Sequence, residues 1–104
     1  MQKVYNNLIS YEQEIEKATY SSKESIFDLV FIARRVANYL LDQPFTEPDK
    51  AVTVTTLKKL AADLNGVTNT TTKTKELKEH FEKNKQEIRT ALQQFIAMLQ
   101  PVVG

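Results

Sequence analysis

At 104 residues with 41% apolar content, the chain is expected to form a single domain over residues 1–104 with its own core. A formal net charge of +1 argues against a partner held mainly by charge, such as bulk nucleic acid or an anionic membrane surface. The absence of cysteine excludes disulfides, thiolate metal sites and cysteine nucleophiles, and fits a reducing compartment. With only two glycines and three prolines, the composition favours long helices over a turn-rich sheet. Residues Met1 to Asn6 contain no apolar run of secretory length, so a cytoplasmic location is expected.

Helix 1 is predicted from about Gln2 to Thr19, because Val4, Leu8, Tyr11, Ile15 and Ala18 recur at alternating four and three, the spacing of a packing seam. Glu12, Glu14 and Glu16 fall off that seam and read as a solvated face. Ser21, with Glu24 three residues on, has capping-box spacing and would launch helix 2.

Helix 2, about 22–42, holds the most apolar stretch of the chain, IFDLVFIARRVANYLL. At about 100° per residue, its apolar side chains cover well over half the circumference. It is therefore expected to be the central helix. A membrane span needs roughly 20 uninterrupted apolar residues, and Arg34–Arg35 interrupts this run. Pro44 should end the helix.

Residues 43–50 form a connector. Val52–Thr56 alternates β-branched residues, locally a strand signal, but no second strand is available to pair with it, so it reads as loop or a weak start to helix 3. Leu57, Leu60, Ala61 and Leu64 then carry helical spacing, and Asn65-Gly66 reads as a stop. Val67–Thr74 reads as a threonine-rich loop. Helix 4 follows, with its seam at Leu77, Phe81, Asn84, Ile88, Leu92, Phe95, Ile96 and Leu99, Lys85 on its outer face, and Pro101 as its end. The expected fold is all-α, a small antiparallel four-helix bundle.

No catalytic constellation is recognisable in the sequence, and its carboxylates fall almost entirely on predicted outer faces. His80 is the only histidine, and a bundle di-metal site would need glutamate at position 77, where leucine stands. No glycine-rich phosphate loop occurs, and no serine sits in a nucleophile elbow. No catalytic residue, metal ligand or cofactor site is assigned, and enzyme activity is not expected.

Two stretches point to binding. Leu57–His80 resembles a bacterial helix-turn-helix: Ala62 precedes a Gly66-Val67-Thr68 turn, and lysines 58, 59, 73, 75 and 78 could serve phosphates. The likeness covers about a fifth of the chain, and Thr72 stands where a recognition helix would carry a buried aliphatic residue. It implies a DNA-binding or plasmid or phage accessory role. The plainer reading is a charged outer face with a glycine stop, and DNA ranks as the second reading.

The other stretch is on helix 2, where Phe27, Phe31, Arg34, Arg35, Asn38 and Tyr39 form or border a polar stripe. Arginine and aromatic residues are those enriched at binding hot spots. The plainer reading buries these aromatics under helix 1 or helix 4. The function expected first is non-catalytic binding of a macromolecule, in the first place a protein. Bundles of this size include bacteriocin immunity proteins, a likeness of size and fold alone. Asn84 at a seam position would also suit a homodimer.

Overall fold

The computed structural model describes residues 2–44 and 48–103, with side chains described over 2–44 and 50–99. Four helices account for nearly all of them: α1 Gln2–Lys17, α2 Lys23–Leu41, α3 Pro48–Thr70 and α4 Thr74–Val103. No strand occurs among the described residues.

Each helix packs on the next, α4 closes back on α1, and α2 and α4 also meet across the middle, while among the described residues the α1 and α3 backbones do not approach closely. The side-chain pairings fix the directions. Asn7 and Glu14 meet Tyr39 and Arg35, while Glu12 and Ala18 meet Arg89 and Lys85, so α1 runs antiparallel to both α2 and α4. At about 1.5 Å per residue, the 30 residues of α4 account for the full 44 Å length of the molecule.

The core is the meeting of four stripes. Leu8 and Ile15 come from α1, and Ile26, Leu29, Ala33, Val36, Ala37 and Leu40 from α2, all fully buried. Because so much of its circumference is apolar, α2 touches all three other helices, although it packs most closely along α3. Phe81, Ile88, Leu92 and Phe95 of α4 are likewise at 0% exposure. Asn84 joins them on the inner side. Its Nδ2 donates to the His80 carbonyl at 2.9 Å within its own helix, which satisfies one donor of this buried amide.

Of the two readings of Val52–Thr56, loop or a weak start to helix 3, the helix holds, within an α3 that begins at Pro48. Helical winding turns Val54 inward and leaves Val52 at 63% exposure, whereas strand alternation would have put both on one face. Thr53, Val54, Leu57, Ala61, Leu64 and Thr68 then form one continuous buried stripe. Asn65-Gly66 does not stop the helix. Gly66 keeps a negative φ, and α3 continues to Thr70 through the stretch read as a loop.

Two threonines help there, because their hydroxyls donate back to carbonyls three residues earlier: Thr68 to Asn65 at 2.8 Å and Thr70 to Val67 at 3.0 Å. Burial of Thr68 against the bundle adds what local propensity lacks. Pro101 does not end α4, which continues to Val103. The carbonyl deprived of a donor there belongs to Ala97, which is exposed, so water can serve it.

The start of α2 is shifted by one residue. Ser22 is the N-cap, and Ser25 takes the part expected of Glu24: its Oγ accepts from the backbone N–H groups of Ser21 and Ser22 at 3.0 and 3.3 Å. The other end of α2 is held by Lys50, whose Nζ donates to the Gln43 carbonyl at 2.7 Å, a cation where the helix dipole is negative.

A candidate binding face on helix 2

The stripe expected on α2 is an outer face. Phe27, Asp28, Phe31, Arg34, Arg35 and Asn38 are all exposed, while residues on either side of them turn into the core. Phe31 is 63% exposed and Phe27 is 44% exposed, so neither aromatic packs fully under a neighbouring helix. Exposed singly, such residues are ordinary; as an i,i+4 pair beside arginines they form a local apolar ledge.

Arg35 is held in place. Its Nη2 donates to both carboxylate oxygens of Glu14, at 3.1 and 2.9 Å, and its guanidinium carbon lies 5.3 Å from the Tyr11 ring centre and 5.7 Å from that of Phe31. Both partners of the ion pair are close to half exposed, so it orients the side chain more than it stabilises the fold. Tyr39 has a different role from the rest of the stripe. It is half-buried, its ring packs edge-on against Tyr11 with centres 5.6 Å apart, and its hydroxyl accepts from Asn7 Nδ2 at 2.8 Å. It joins α1 to α2.

Beside Phe31 the two helices part. α1 ends at Lys17, the chain turns through residues 18–22, and a cleft of about 390 Å³ opens between the end of α1 and the first half of α2. Phe31 and Ile32 give it an apolar wall, and Glu14, Lys17 and Asp28 surround it with charge. The sequence reading missed the α1 contribution. Glu14 was expected on a solvated face, and helix periodicity by itself does not show which neighbouring helix lies beside that face.

Glu12, expected on the same solvated face, is in fact packed between α1 and α4. It accepts from Arg89 Nε and Gln93 Nε2, both at 3.0 Å. At the start of α2, Ser22 Oγ donates to Glu24 at 2.7 Å. That bond, followed by the glutamate's own backbone N–H and the charge of Lys23, holds the Glu24 carboxyl below the ordinary glutamate range.

The turn that the helix-turn-helix likeness requires is not formed, because Gly66, Val67 and Thr68 lie inside α3. The nearest break is at residues 71–73, and Val67 and Thr68 face the interior only as part of the α3 stripe. His80 is exposed, and no group of three or more metal-ligating side chains converges among the described residues. No described helix is long and apolar enough to cross a membrane. A second cleft, of about 350 Å³, lies between α3 and α4, with Thr56, Leu60, Glu87 and Ala91 among its lining residues. Comparison of this chain with protein-family models, curated proteins and solved structures finds no match.

Proposed function

We propose that the protein acts without catalysis, by binding another protein through the outer face of α2. The observation that carries this reading is the exposure of Phe31, 63%, on a helix whose opposite side is buried in the core. Burying an aromatic ring on association supplies apolar area at low entropic cost, and the neighbouring arginines offer planar, directional contacts. Phe27, Arg34 and Asn38 extend the face, and Arg35 is pre-positioned by Glu14. Pre-positioning lowers the cost of ordering a long side chain at an interface. A cytoplasmic location belongs to the same reading, supported by the cysteine-free composition. A bacteriocin-immunity role is its narrower version, resting on size and fold analogy.

The test uses Phe31→Ala and Arg34→Ala, since both side chains are exposed and neither closes the core. Each variant should keep its unfolding free energy, measured by denaturant melt, to within about 0.5 kcal/mol of the parent. Affinity capture of the partner from the native cell should drop sharply for Phe31→Ala. A large stability loss with unchanged capture would assign Phe31 to the fold and remove the face from consideration.

A further inference from the structure

We propose that the partner on this face is a second copy of the chain, bound α2 against α2 in antiparallel about a two-fold axis at Phe31. The proposal rests on the reading of the α2 face as protein-binding and names its occupant. At about 100° per residue, Glu24, Phe27, Asp28, Phe31, Arg34, Arg35 and Asn38 fall within an arc of about 120°, with Phe31 at its midpoint. All seven are exposed.

What selects a second copy is the charge order along this arc. A two-fold axis between antiparallel helices reverses the chain direction but keeps each flank of one helix beside the same flank of the other. Asp28 and Arg35 share the flank towards α1, where Asp28 lines the cleft and Arg35 meets Glu14. Asp28 is three residues before Phe31 and Arg35 four after it, so each Asp28 comes opposite Arg35 of the other copy. On the opposite flank, Phe27 comes opposite Arg34 of the other copy, a cation over a ring. At the axis the two Phe31 rings meet. Glu24 comes opposite Asn38.

The Phe31 contact lies on the axis and occurs once, each of the others occurs twice, and within the arc every contact is favourable and no like charges are opposed. Asp28 and Arg34 have no hydrogen bond or ion pair of their own among the described residues, so both are free to make these contacts. A face built for a foreign partner has no need to be complementary to itself. One helix stripe lies at the low end of interface sizes, so the pairing is a concentration-dependent equilibrium and not a permanent dimer.

Sedimentation equilibrium of the intact chain over about 1 µM to 1 mM, a range set by weak association, tests this. The parent should shift from monomer to dimer across that range, and Phe31→Ala should weaken the association at least about tenfold. D28K opposes two cations at each Asp28 contact, and R35E opposes two carboxylates, so each variant alone should be monomeric. Mixed one to one they should form a heterodimer, because every charge pair is then complementary. Circular dichroism confirms that each variant is folded, and recovery in the mixture is something a misfolded variant cannot produce.

A parent that stays monomeric throughout overturns the pairing, as does a dimer indifferent to Phe31→Ala and D28K, or a mixture that fails to associate. If the parent is monomeric but captures a different protein in a manner sensitive to Phe31, the protein-binding reading stands and only the second copy falls. If it does neither, both fall.

Discussion

Arg89 Nε lies 3.0 Å from Oε1 of Glu12, tying the middle of α1 to α4. The two side chains are only 23% and 14% exposed, so this is the least solvated ion pair among the described residues. The same oxygen also accepts from Gln93. Low exposure reduces screening, and the shared oxygen fixes the carboxylate. The corresponding pair on the outer face of α2, Arg35 with Glu14, is much more exposed.

A double-mutant cycle on Glu12 and Arg89 should return a coupling of about 1–2 kcal/mol, between the values typical of exposed pairs and of charged hydrogen bonds. The same cycle on Glu14 and Arg35 should return about 0.5 kcal/mol or less. Thermal or denaturant melts of the single and double alanine variants measure both. Equal couplings would show that burial does not separate the two pairs.

Lys85 is not a neutral surface residue. Its Nζ donates to the Ala18 carbonyl at 2.6 Å, just past the C-terminal end of α1, where a cation also meets the negative end of the helix dipole. Lys85→Ala should cost about 1 kcal/mol in a denaturant melt. Phe81→Ala and Leu92→Ala, each at 0% exposure, should cost about 3–5 and 2–5 kcal/mol. A Lys85 variant indistinguishable from the parent would mean that water replaces the ammonium at Ala18 without loss.

Gly66→Ala should stabilise the protein. The residue is in mid-helix with a negative φ, and an added Cβ would meet nothing within 4 Å. Removing glycine's backbone freedom from the unfolded chain should then be worth about 0.5–1 kcal/mol. A rise in melting temperature is the expected outcome, and a fall would place residue 66 at a genuine helix end.

The Glu24 carboxyl titrates below its ordinary range because the charged form accepts from Ser22. Depressed in the folded state, it contributes stability that is present above the unfolded value and lost as pH falls through the folded value. Ser22→Ala should move the Glu24 titration upward, towards the ordinary glutamate range, and shrink that acid-side contribution. Carboxyl chemical shifts followed against pH in both proteins measure this, and an unchanged midpoint would place the cause elsewhere.

The sequence by itself determined the number and order of the helices, the lack of any described helix long and apolar enough to cross a membrane, and the face α2 turns outward. These follow from periodicity: Leu8 and Ile15, the broad apolar arc of α2, and the Leu77–Leu99 seam repeat at helical spacing, and polar Asp28, Arg35 and Asn38 could not be placed among apolar side chains without partners. Tertiary structure decided what local propensity left weak or misdirected. Val52–Thr56 and Val67–Thr70 are poor helix formers in isolation, and they are helical because Val54, Leu57 and Thr68 bury one stripe against their neighbours. Likewise, Glu12, Glu14 and Glu16 have the same local chemistry, yet Glu12 is packed against Arg89, Glu14 holds Arg35 and Glu16 is exposed. Periodicity reports the angle of a side chain around its own helix, and only the placement of α2 and α4 on either side of α1 determines which charge each carboxylate meets.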